Sequence, residues 1–225
     1  MANIYQDPKI EKLINDGFTV DISSYYSKAW KHVKENIGLY LGYTVIYCII
    51  SGTLGLIPVF GSLVSMVLSP ALIIGYFIVA HKITRSEPVT FSSFFEGFSK
   101  FGELFLVYLV MIIFVIAGFI LLIIPGIYLA VAYSFALPLV WFLYNGSILD
   151  TLKTSRMIIS KNWFSFFGFY IIGFFVMILG LLCLGVGIFV AIPVFYVAHY
   201  FMYMDVLGTE ELSIKNDPFD QLVPN

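Results

Sequence analysis

Residues Leu121–Ala130 read "LLIIPGIYLA" and lie inside an apolar run too long to cross a bilayer once. Either the Pro125-Gly126 pair kinks one buried helix, or it turns the chain back so that both arms cross. Leu104–Leu149 holds no Asp, Glu, Lys or Arg, and neither do Gly38–Ala80 and Asn162–Met204; each run exceeds 40 residues. One crossing needs about 20 apolar residues, and a single rod twice that length would leave apolar surface in water. Each run is therefore predicted to be a hairpin of two spans, with Pro125-Gly126 at a tip: proline starts a helix well and glycine lets the chain reverse.

The composition agrees. The chain has 225 residues, 60% hydrophobic and 12% charged, against about 25% charged in soluble domains. The lysine-bearing stretch before the first run has no continuous apolar core and does not read as a cleavable signal peptide. A net charge of -2 with no basic stripe gives no sign of nucleic acid. Cys48 and Cys183 fall in apolar runs, where a thiol behaves as a small hydrophobe.

The runs are in phase with one another. Counting from Lys34, Lys100 and Lys161, each breaks about 24 residues on, at Pro58, Pro125 and Gly185. Each second arm carries a proline, Pro70, Pro138 or Pro193, and the next charge, Lys82, Asp150 or Asp205, follows 12 residues later. Two markers in register predict a threefold internal repeat. The expected spans are 37–57, 63–81, 104–124, 126–144, 163–183 and 188–205, the even-numbered ones kinked at proline.

A polar-apolar segment precedes each hairpin: "SSYYSKAWKHVKEN" (23–36), "FSSFFEGFSK" (91–100) and "SILDTLKTSRMIISKN" (147–162). In the first, Tyr26, Ala29, Trp30 and Val33 recur at helical spacing opposite Lys28, Lys31 and Lys34. Such helices either lie in the membrane interface or pack on neighbouring protein. The fold class expected is an all-α membrane protein of six transmembrane helices, built as three parallel repeats of amphipathic surface helix plus hairpin. Its organisation is an N-terminal segment 1–22, a membrane domain 23–206 (repeats 23–82, 91–146 and 147–206) and an acidic tail 207–225. All 12 Lys and Arg residues lie outside the hairpins, so both termini are expected in the cytoplasm of a bacterial inner membrane.

Few residues carry chemistry. The spans hold no carboxylate pair, Asn, Gln, Lys or Arg of the kind ion-coupled transporters keep in the membrane. His32, His81 and His199 stand apart, at no metal-ligand spacing. No catalytic site, metal or cofactor is expected. Ser155 and Arg156 could meet a lipid phosphate or make a helix contact. Lys28, Lys31, Lys34, Lys100, Lys153, Arg156 and Lys161 precede the odd-numbered spans and are the expected lipid-headgroup contacts. Gly38/Gly42, Ser65/Ser69 and Ala132/Ala136 would let helices approach closely. The hydroxyls of the first hairpin would line a polar cavity or bond their own helix. Tyr40, Trp141, Tyr144, Trp163 and Tyr203 would form an interfacial belt.

The segments "FTVDISSYYSKAWKHVKENIGLY", "PGIYLAVAYSFALPLVWFLYNGSILDTLKTSRMIISKNWFSFF" and "LGVGIFVAIPVFYVAHYFMYMDVL" resemble bacterial integral-membrane families related to the membrane domain of glycerophosphodiester phosphodiesterases. The resemblance covers most of residues 18–207 and implies a membrane module without the soluble catalytic barrel. The function expected is that of a non-enzymatic accessory or scaffold subunit whose partners are membrane lipids and another integral membrane protein. The alternative is a carrier or channel for a lipid or an uncharged small solute.

Overall fold

The computed structural model describes residues 17–143, 147–183 and 185–207, with Ile10, Leu13 and Asn15. Among the described residues there is helix and turn but no strand, and six stretches are long and apolar enough to cross a membrane. The chain is an all-α membrane protein. Lys9, Lys12, Tyr144 and the tail after Leu207 lie outside the described residues.

Helix α1 (Ile22–Glu35) leads into the hairpin α2 (Ile37–Gly55) and α3 (Phe60–Thr84). A tight 3-10 coil (Phe91–Lys100) leads into α4 (Phe101–Leu121), which returns as α5 (Ile123–Ala132) and α6 (Ala136–Leu143). Helix α7 (Ile148–Ser160) leads into α8 (Trp163–Leu182) and α9 (Ile188–Leu207). The surface elements begin on side-chain caps. Asp21 Oδ1 accepts the Ser24 N–H at 3.0 Å, Thr90 and Ser93 form a capping box, and Ser147 Oγ accepts the Asp150 N–H at 3.2 Å. These bonds satisfy amides left over at a helix start.

The second hairpin turns earlier than the sequence suggests. Its single non-helical residue is Leu122, extended at φ -163° and ψ 151°. Pro125 is the third residue of α5, where its missing N–H costs nothing. The turn falls where Gly118 faces Gly126: a Cβ on Gly118 would come within 3.0 Å of the Gly126 Cα. The third hairpin crosses in the same manner, a Cβ on Gly187 falling 2.7 Å from the Gly180 carbonyl oxygen, and turns at Gly185, whose φ of 74° suits glycine.

Helices α3, α5–α6 and α9 form the inside. More than half of each apolar stretch is buried there, against less than a quarter for α2, α4 and α8. Pro70, Pro138 and Pro193 are all buried on this inner set. Three kinked helices are expected from the sequence; α3 and α9 stay helical through Pro70 and Pro193, and the fourth span is interrupted at Tyr133–Phe135, just before Pro138. Ala136 N–H bonds Tyr133 O at 2.9 Å, so the Ala132 carbonyl loses its helical partner.

Each outer helix packs on its own inner helix and on one neighbour's: α2 on α3 and α9, α4 on α5 and α3, α8 on α9 and α5. The surface elements follow the same order, with α1 on α9, the 3-10 coil on α3, and α7 on α5 and α6. At the 3-10 coil the approach is backbone to backbone. A Cβ on Gly75 would sit 2.2 Å from the Phe94 carbonyl oxygen, and one on Gly97 would sit 2.5 Å from that of Ala71. A coil with three residues per turn stacks Phe94 and Gly97 on one edge, and that edge meets α3. Gly38, by contrast, has nothing within 4 Å of an added Cβ.

Candidate functional site

The surface elements place the predicted headgroup contacts differently. Lys28, Lys31 and Lys34 stand on the exposed side of α1, opposite buried Tyr25, Ala29, His32 and Val33. That buried face lies on α9, so α1 is seated on protein, while Trp30 on its edge is 54% exposed. Lys31 has Glu35 at 4.0 Å, both side chains largely exposed, an arrangement worth little in water. Lys100 turns inward: its Nζ donates to the Trp141 carbonyl at 3.1 Å and lies 5.3 Å from the centre of that ring. Lys153, Arg156 and Lys161 are exposed on and just after α7.

Ser155, beside Arg156, is wholly buried. Its Oγ donates to the orphaned Ala132 carbonyl at 2.8 Å and accepts the Phe135 N–H at 3.2 Å. A hydroxyl from the surface helix thereby completes the interrupted fourth span, and the helix-contact reading of Ser155 is the one found. Arg156 is exposed beside it and interacts with the side chain of Tyr133, in the same break.

All three histidines pair with tyrosines. His32 Nε2 lies 3.0 Å from Tyr40 Oη, His81 Nδ1 3.2 Å from Tyr200 Oη, and His199 Nε2 3.3 Å from Tyr170 Oη. Burial pulls His32 below the ordinary imidazole range, with Glu35 opposing the shift, so the neutral ring is the form the fold holds. Where the inner helices meet, Phe135 packs on His199 at 5.7 Å and on Tyr203 at 5.2 Å between ring centres. Phe77 touches His199 and Tyr200, and Phe142 touches His81 and Tyr203. Aromatic rings fill the junction of the inner helices at this level. Edge-on and offset contacts of this kind add about 0.5–1.5 kcal/mol each beyond area burial.

Three first-hairpin hydroxyls bond their own helix: Thr44 to Tyr40 O, Thr53 to Ile49 O and Ser69 to Ser65 O. Thr44 also meets Tyr76 Oη at 3.0 Å. Among the described residues no three His, Cys, Asp or Glu side chains gather as metal ligands would. Sequence reasoning missed the histidine–tyrosine pairing and the bond from Tyr25 to Asp205, and gave no partner for Ser155; an acid in the last turn of the last span was the one available signal. Comparison with family models, curated proteins and solved structures finds no match to this chain.

Proposed function

We propose that this chain is a non-enzymatic protein of the bacterial inner membrane, an accessory or scaffold subunit that works by contact with lipid and with another integral membrane protein. The observation that carries the reading is the aromatic packing where the inner helices meet. Phe77, Phe135, Phe142, His199 and Tyr203 occupy the place a central pathway would need, while apolar surface faces outward on α2, α4 and α8. Six spans return the chain to its starting side, and the one-sided Lys and Arg support cytoplasmic termini. The cyclic packing of outer on inner helices supports a threefold repeat of parallel units about an axis along the membrane normal. The likeness to phosphodiesterase membrane domains is part of this proposal, as a module separated from catalysis.

Purification of the tagged full chain in mild detergent tests it. The expected result is a membrane protein recovered in fixed ratio and lost when apolar residues of an outer helix, such as Phe174 and Phe175, are changed to alanine. Recovery of the chain alone, together with solute or lipid movement in vesicles containing only this protein, would replace the scaffold with the carrier.

A further inference from the structure

One exposed stripe of α7 runs Leu149, Lys153, Arg156, Ser160, each three or four residues from the last, and Lys161 follows directly. Beneath it lies α5. Ser160 Oγ is 2.6 Å from Tyr128 Oη, and the Tyr128 carbonyl accepts the Trp163 Nε1–H at 3.2 Å. Arg156 interacts with the Tyr133 side chain, on a helix that Ser155 pins to the same break in the fourth span. When Ser160 and Tyr128 bond each other, one hydroxyl proton is used between them and the second is left to donate outward. The one acid of α7, Asp150, accepts from Ser147 Oγ and lies one turn before Lys153, two turns from Arg156.

This differs from α1, where three lysines without an arginine share their face with Glu35. A guanidinium with neighbouring ammonium and hydroxyl donors suits the oxygens of a phosphate, which Arg takes two at a time. The flanks are apolar: Leu149 is 60% exposed and Phe164, beyond Lys161, is 84% exposed. An ion from solution would not use them, whereas acyl chains would.

We infer that this face of α7 is a binding site for the phosphate of an anionic membrane lipid. Arg156 is the bidentate anchor, Lys153 and Lys161 are the flanking charges, and the Ser160–Tyr128 pair is the hydroxyl donor. The inference rests on the reading that the cationic surface elements face lipid, and it adds one discrete site to a general attraction.

Native mass spectrometry of the full chain with phosphatidylglycerol, phosphatidylcholine or inorganic phosphate tests both levels. The expected result is one phosphatidylglycerol retained per chain, binding at least about tenfold weaker in Arg156→Gln, as for loss of a charge-assisted pair. Arg156→Lys, which keeps charge but not the fork, and Tyr128→Phe should each give part of that loss. The double change Lys28→Gln/Lys34→Gln should alter it less than about twofold. Equal losses from the α1 and α7 variants would overturn the site while leaving the general attraction. No preference for phosphatidylglycerol over phosphatidylcholine would overturn both. Displacement of the lipid by millimolar phosphate would overturn the assignment to a lipid headgroup.

Discussion

Tyr25 Oη donates to Asp205 Oδ2 at 2.5 Å across 180 residues of sequence, fastening the first surface helix to the last turn of the last span. The Tyr25 ring is buried while Asp205 is exposed, so the bond lies at the edge of the α1–α9 contact. Burial and the Asp205 carboxylate push the Tyr25 hydroxyl up, which keeps it a donor.

Tyr25→Phe keeps the ring and removes the bond. Because Asp205 regains water, the cost should be about 1 kcal/mol, read as a lower midpoint of thermal unfolding in detergent. Asp205→Asn should cost no more. A Tyr25→Phe protein as stable as the parent would leave ring packing alone to seat α1.

Acid should loosen the same helix. The His32 pKa is lowered in the fold, so its stabilising effect is fully present above the ordinary value of 6.5 and is lost as pH falls from there toward the folded value. Between pH about 7.5 and 5.5, the parent should lose more thermal stability than His32→Gln. Parallel losses in the two proteins would assign the acid sensitivity elsewhere.

Ser155→Ala strands a buried carbonyl and a buried amide at the break in the fourth span. A loss of about 2–4 kcal/mol is expected. Ser160→Ala, on the exposed side of the same helix, should cost under about 0.5 kcal/mol. Similar unfolding midpoints for the two variants would show that the break needs no clamp.

The glycines separate in the same way. Gly75→Ala drives a methyl into the Phe94 carbonyl and should cost about 1–3 kcal/mol, as overpacking does. Gly38→Ala meets nothing and should stabilise α2 by about 0.5–1 kcal/mol. Thermal unfolding of both variants should move in opposite directions.

Sidedness can be read by labelling. With Cys48 and Cys183 replaced, a cysteine at Phe60 or Val186, both exposed at hairpin tips, should react with an impermeant reagent outside intact cells. One at Glu87 should not. Labelling at Glu87 would reverse the proposed orientation.

The hairpins were legible because charge is absent from whole runs, a signal that packing cannot disguise. The in-phase prolines Pro70, Pro138 and Pro193 all fall, buried, on inner helices. Their local effect was not legible: neighbouring turns decide whether a missing N–H interrupts a helix, and only Pro138 has an interruption just before it. Pro125-Gly126 looked like a tip because both residues favour turns, yet the crossing of Gly118 with Gly126 sets the reversal at Leu122. The small-residue spacing at Gly38 pointed to a close approach that instead occurs at Gly75 and Gly97. Among the cations, charge and position look alike in sequence. Only coordinates distinguish Lys100, drawn onto Trp141, from Arg156.

The seating of α1 on α9 also orders events in time. A ribosome making this chain releases α1 long before its seat exists, since α9 comes from the last hairpin. Until then its buried face, Tyr25, Ala29 and Val33, must rest on something else, and for an amphipathic helix emerging beside a bilayer the nearest surface is the membrane itself. Docking of α1 is thus a late step in assembly. A chain stalled before residue 188 would keep two inserted hairpins and an α1 still waiting on the lipid, a form that proteases of the membrane surface could recognise.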